Sequence, residues 1–216
     1  MLLVAPSLRA QATSERGLGQ VTLRTVFGGP ISPKSVASSG TGLVLAQNMM
    51  YEHTITVYNS RRLRLVKTLS DRVPLSLLGE TGRGTAQGAP VEAAFSPDGR
   101  YAYVSNYSMY GPGFGPQGQD VCSPASGYDR SFVYRVDLRR LRIDRAYEVG
   151  SVPKVVAVTP DGRYVLVSNW CSYDLSVISV RKAREVRRIP IGWRQAGTVC
   201  STCRSVARSS LTVPVA

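Results

Sequence analysis

Histidine and cysteine are scarce in this 216-residue chain, which has one His and four Cys. A structural zinc site takes about four such ligands. His53 stands far in sequence from Cys122, Cys171, Cys200 and Cys203. No metal and no cofactor is therefore expected. Acid is scarce too, with 14 Asp and Glu against 27 Lys and Arg, a formal net charge of +13. No apolar run approaches the roughly 18 residues of a membrane-spanning helix. There is no Ser/His/Asp signature and no glycine-rich phosphate loop. Apolar residues are not lacking, and their 43% share excludes a disordered chain. The cations comprise 23 Arg and only 4 Lys. The base composition of a gene can impose that skew, so net charge alone does not identify a partner.

What the sequence does contain is repetition, which decides fold before secondary structure does. Residues 90–106 read PVEAAFSPDGRYAYVSN, and residues 153–169 read PKVVAVTPDGRYVLVSN. The two align without a gap, 63 residues apart. A weaker copy runs from Pro33 to Asn48. In the two strong copies an apolar run reaches a Pro-Asp-Gly turn (Pro97, Asp98, Gly99; Pro160, Asp161, Gly162). Proline presets φ there, while Asp and Gly tolerate the tight positions. An alternating run follows and ends at Asn48, Asn106 or Asn169. A third β-rich run and a basic fourth run complete each unit. Four antiparallel strands per unit, in tandem, are the pattern of propeller blades.

These residues resemble the YVTN-type β-propeller repeat, carried by Ser96 to Arg100 with Tyr103 to Asn106, and by their counterparts in the next unit. The resemblance implies an all-β fold of four-stranded antiparallel blades of about forty residues each. It covers about three blades, an incomplete ring: blades at 31–70, 88–150 and 151–192, with 21–28 as the outer strand of a preceding blade. It also implies a protein that is periplasmic, extracellular or at the cell surface. Residues 1–20 are expected to be a leader or disordered, because the apolar run before Pro6, about five residues, is too short for a signal peptide. Residues 193–216 break the pattern and read as an aberrant or disordered tail. A partial ring is expected to need another chain to complete the propeller. The segment 107–130 is a long insertion, and long loops are often functional.

Cys122 in that insertion and Cys171 in the matching turn of the next blade are candidates for a disulfide, because adjacent blades bring those loops together. Cys200 and Cys203 lack a second ligand pair and carry no expected role. Tyr107, Tyr110, Phe114 and Trp170 form a possible ligand loop. His53 is expected to be a solvated or hydrogen-bonded loop residue. Asp98 and Asp161 cap their own turns, and the recurring Asn residues hold strand ends. Asp137 and Asp174 have no evident partner in sequence. Basic residues recur at the third-to-fourth turn and on the outer strand, among them Arg139, Arg140, Arg142, Arg184, Arg187 and Arg188. Charges there protect an exposed sheet edge, or they bind anions.

The function expected is binding or scaffolding through the loop face, without bond chemistry, for a protein or cell-surface ligand that the sequence does not identify. One alternative is single-stranded DNA binding through the basic rim, as in at least one member of the resembled family. A second is a lactonase-like or dehydrogenase-like propeller enzyme.

Overall fold

The computed structural model describes residues 29, 31–115 and 122–191. The expected leader, the strand at 21–28, the tail at 193–216 and the Cys200–Cys203 pair lie outside the described residues. Alternating apolar and polar residues predict half-buried strands, and the structure forms them. The first four-stranded antiparallel sheet is β1 (Ser35–Ser38), β2 (Leu43–Asn48), β3 (Thr54–Asn59) and β4 (Arg64–Ser70). The second is β7 (Pro90–Phe95), β8 (Tyr101–Asn106), β9 (Phe132–Asp137) and β10 (Arg142–Glu148). The third is β11 (Pro153–Val158), β12 (Tyr164–Asn169), β13 (Asp174–Ser179) and β14 (Arg184–Pro190). Each sheet pairs its strands in chain order, as a propeller blade does. The innermost strands β1, β7 and β11 lie side by side, so the blades stand around one axis as an open ring.

The connection between the first two blades holds its own small hairpin. In it β5 (Arg72–Pro74) pairs with β6 (Thr85–Gln87) beside a 3-10 turn at Leu75–Leu78. Three-residue strands are too short to show alternation in sequence.

The core lies between blades. Leu45, Ile55, Val57 and Leu69 of the first blade pack on Ala102, Val104 and Val136 of the second. Tyr103, Val133 and Tyr147 pack in turn on Val156, Val165, Val167 and Ile178 of the third. Successive residues of the second blade, such as Ala102 and Tyr103, therefore face two different apolar neighbours, not core and solvent. The first blade has no described blade on its other side. There Val36, Val44, Tyr58 and Leu63 line an apolar groove of about 390 Å³.

The turn chemistry repeats side chain for side chain. Asp98 Oδ1 accepts from Ser96 Oγ and from the Arg100 N–H; Asp161 Oδ1 does the same with Thr159 Oγ1 and the Arg163 N–H. Those bonds, led by the hydroxyl donor, hold both carboxyls below their ordinary pKa. At the opposite blade ends, glycines allow a close approach. A Cβ on Gly150 would sit 2.6 Å from Cγ of the buried Asn169. Gly150→Ala is expected to cost about 2 kcal/mol through overpacking, lowering Tm by roughly 4–8 °C. A melting curve matching the wild type would show that the strand end yields without strain.

Candidate ligand-binding face

Antiparallel order sorts the connections by side. The links from second to third strand, and from each blade to the next, emerge on one face. The first-to-second and third-to-fourth turns emerge on the other. Segment 71–89 and the described residues of the insertion, 107–115 and 122–131, therefore lie on one loop face. The recurring asparagines brace it. Asn48 Nδ2 donates to Thr54 and Thr56, Asn106 Nδ2 to the Phe132 carbonyl, and Asn169 Nδ2 to Asp174 and Ser176.

Between the second and third blades, Cys122 and Cys171 form a disulfide with Cα atoms 5.1 Å apart. The insertion is held further by Tyr173 Oη donating to the Cys122 carbonyl and Ser151 Oγ donating to the Tyr128 carbonyl. Beside this clamp, the Lys154 ammonium lies 4.4 Å from the Tyr107 ring centre and 4.6 Å from that of Trp170. Each such contact contributes about 0.5–1 kcal/mol when exposed. Trp170 remains 38% exposed, so the group is open to a ligand.

Between the first and second blades lies a second constellation. His53 Nδ1 is 2.8 Å from the Gly88 carbonyl, an oxygen that only accepts, so Nδ1 carries a proton, and in the neutral ring Nε2 is the acceptor. Asp71 Oδ2 lies 3.5 Å from the same nitrogen. The Tyr110 ring meets His53 edge to face at 5.3 Å. Asp71 is fully buried, and neither oxygen accepts a well-aligned hydrogen bond. Burial pushes its carboxyl up to about 8, against the opposing pull of the Gln87 side chain and the Arg72 charge. Burial, and then the Asp71 charge, raise the Tyr110 hydroxyl as well.

The four aromatic candidates thus separate. Tyr107 and Trp170 flank Lys154, Tyr110 packs on His53, and Phe114 meets Phe132 edge to face in an apolar cluster. Asp71 and Lys154 carry no sequence signal that marks them, because their partners are distant in the chain. Asp137 and Asp174, unpartnered in sequence, have structural partners. Asp137 Oδ1 accepts from the Arg139 and Arg140 N–H groups. Asp174 Oδ1 accepts from Asn169, and its Oδ2 lies 3.8 Å from Arg188. Among the described residues, no three His, Cys, Asp or Glu side chains gather to hold a metal ion. No described helix is long and apolar enough to cross a membrane.

A family model described as "Lactonase, 7-bladed beta-propeller" matches residues 51–189. No curated protein matches the chain in sequence. Solved structures resemble its fold. Kuenenia stuttgartiensis hydrazine synthase aligns at TM-score 0.51 and 19% identity over 79% of this chain and 39% of that one. U3-55K aligns at TM-score 0.53 and 9% identity over 79% and 42%. The RRP9 WD40 repeats align at TM-score 0.52 and 9% identity over 77% and 41%. The chain spans about two-fifths of each of these structures.

Proposed function

Because the chain belongs to the lactonase family of seven-bladed β-propellers, we propose that it is an exported, YVTN-type member that holds a ligand on its loop face without transforming it. The observation that carries this reading is the Lys154 group, an ammonium between two rings beside a disulfide-clamped loop. A rigid scaffold presenting a cation and aromatic edges suits a ligand that bears a carboxylate. Fixing the site in advance lowers the ordering cost of binding. The disulfide agrees with an oxidising compartment outside the cytosol.

The test is a thermal-shift screen of the intact chain against carboxylate-bearing peptides and oligosaccharides. A ligand present at about a hundred times its Kd stabilises by about 2.7 kcal/mol. The shift is expected to vanish in Lys154→Ala and Trp170→Ala. A ligand that stabilises those variants as strongly as the wild type binds elsewhere and removes the reading.

A second reading, hydrolysis of a lactone, draws on the His53 arrangement, which leaves Nε2 as an acceptor for a proton. The state of Asp71 weighs against it. The Gly88 carbonyl takes the place of the triad aspartate at Nδ1, and burial raises the Asp71 carboxyl to about 8, which weakens its stabilisation of an imidazolium. Lactone hydrolysis that is present in the wild type and lost in His53→Ala would establish the hydrolase and displace the binding role.

A further inference from the structure

We propose that the outer rim, away from the loop face, is a binding surface for an acidic polysaccharide, built by one β-bulge repeated in every blade. The outermost strand of each blade carries a cation at its first and fourth positions: Arg64 and Lys67, Arg142 and Arg145, Arg184 and Arg187. In a regular strand such residues point to opposite faces. Here the register slips by one residue between them, leaving Val66, Asp144 and Val186 unpaired. Arg64 and Lys67 consequently oppose Asn59 and Val57, which share a face. Arg142 and Arg145 oppose Asp137 and Arg135 in the same way, and Arg184 and Arg187 oppose Ser179 and Val177. The extra residue thus turns two cations per blade to one side.

The preceding turns add two more cations per blade at fixed positions: Arg61-Arg62, Arg139-Arg140 and Arg181-Lys182. Asn59, Asp137 and Ser179 side chains accept from the backbone N–H groups of these turns. Each turn closes on a left-handed residue, Leu63, Leu141 or Ala183, at φ 47°, 48° and 53°. The cations are therefore presented by ordered backbone and not by a floppy loop.

Protection of an exposed edge needs charges but does not need them aligned on one face. Nor are they neutralised locally. The acids of the outer strands are engaged elsewhere, Asp144 by Arg135, Glu148 by Arg130 and Glu185 by Arg188. Of the twelve rim cations, only Arg140 has a carboxylate within 4.0 Å among the described residues, Asp137 at 3.8 Å. Arg188, grouped with the rim by sequence, pairs with Glu185 and Asp174 and is not part of it.

Ten of the twelve are Arg, whose planar fork suits sulfate and carboxylate oxygens. Base stacking requires exposed rings. The one aromatic residue in these turns and outer strands, Tyr147, is buried. The exposed aromatics Tyr51 and Trp170 sit on the opposite, loop face. The scarcity of rings among these cations, where only the half-buried Tyr164 shares a pocket with Arg181 and Lys182, and the disulfide favour an acidic glycan over a nucleic acid.

The probe is heparin, with oligo-dT of similar charge as the competing arm, bound to the intact chain across a salt series. Heparin is expected to bind at 50 mM salt and to weaken about 10³-fold by 200 mM, as for six or more ionic contacts. Arg142→Ala with Arg145→Ala is expected to weaken binding about tenfold or more at low salt. Lys34→Ala with Arg83→Ala removes the same charge from the loop face and is expected to leave binding within about twofold, since those cations lie outside the contact. Matching circular dichroism spectra would verify that both variants fold. Failure to bind heparin at low salt overturns the proposal. Equal loss in the two double variants also overturns it, because net charge alone would then explain binding. Oligo-dT bound as tightly as heparin, and lost in the same rim variant, would assign the surface to nucleic acid instead.

Discussion

Asp71→Asn is expected to make the fold more stable than the wild type at pH 8.5 and nearly equal to it below about pH 4. In the folded chain the Asp71 carboxyl is pushed up to about 8 by burial. In the unfolded chain it titrates near its ordinary value of about 3.9. Between those values the folded state keeps the proton and the unfolded state has lost it. Stability from this group is full below about pH 4, declines as pH rises, and is gone above about pH 8. The slope approaches 1.4 kcal/mol per pH unit, so about 4 kcal/mol separates pH 5 from pH 8. Asparagine has the same shape and no proton to lose. Its advantage should therefore widen with pH, read as the difference between two denaturant midpoints at each pH. Parallel pH curves for the two proteins would mean that the ionised carboxylate finds a stabilising partner, with His53 at 3.5 Å the nearest cationic candidate.

The same residue shows where sequence reading stops. The blades are legible because their turns repeat: Pro-Asp-Gly, the flanking Ser or Thr and the strand-end Asn occupy identical places in two units. Each satisfies backbone groups nearby, so the sequence holds the whole of its local explanation. The disulfide is legible for a related reason, since Cys122 and Cys171 occupy matching loops of adjacent blades. Asp71 and His53 are different. Their contacts depend on Gly88, 35 residues beyond His53, and on a hairpin of three-residue strands. The Lys154 group joins residues from three strand ends across two blades. The rim is legible as a charge pattern but not as a surface. A period of two places Arg184 and Arg187 on opposite sides, and only the bulge at Val186 reunites them while sending Arg188 to Glu185 and Asp174.

Removing the disulfide, as Cys122→Ser with Cys171→Ser, is expected to cost about 4 kcal/mol and to free the insertion. The bond joins positions 49 residues apart, and the chain-entropy cost it spares the folded state is about 4 kcal/mol for a loop of that length. For a domain of this size, Tm should fall by roughly 8–16 °C. The loss should also be local. Cys122 and Cys171 are buried with Val152 against Tyr107 and Tyr128, and Trp170 is the immediate neighbour of Cys171. Two serines there would leave polar groups in an apolar cluster and loosen both rings that flank Lys154. Protease cleavage within 107–130 and a red shift in tryptophan emission should therefore appear well below the melting temperature. Reduction with a thiol should reproduce both without any substitution. If the reduced protein melts, cleaves and fluoresces like the oxidised one, then the Ser151–Tyr128 and Tyr173–Cys122 hydrogen bonds hold the loop unaided. The loop face would then owe its rigidity to packing, and the Lys154 site would keep its geometry in a reducing compartment as well.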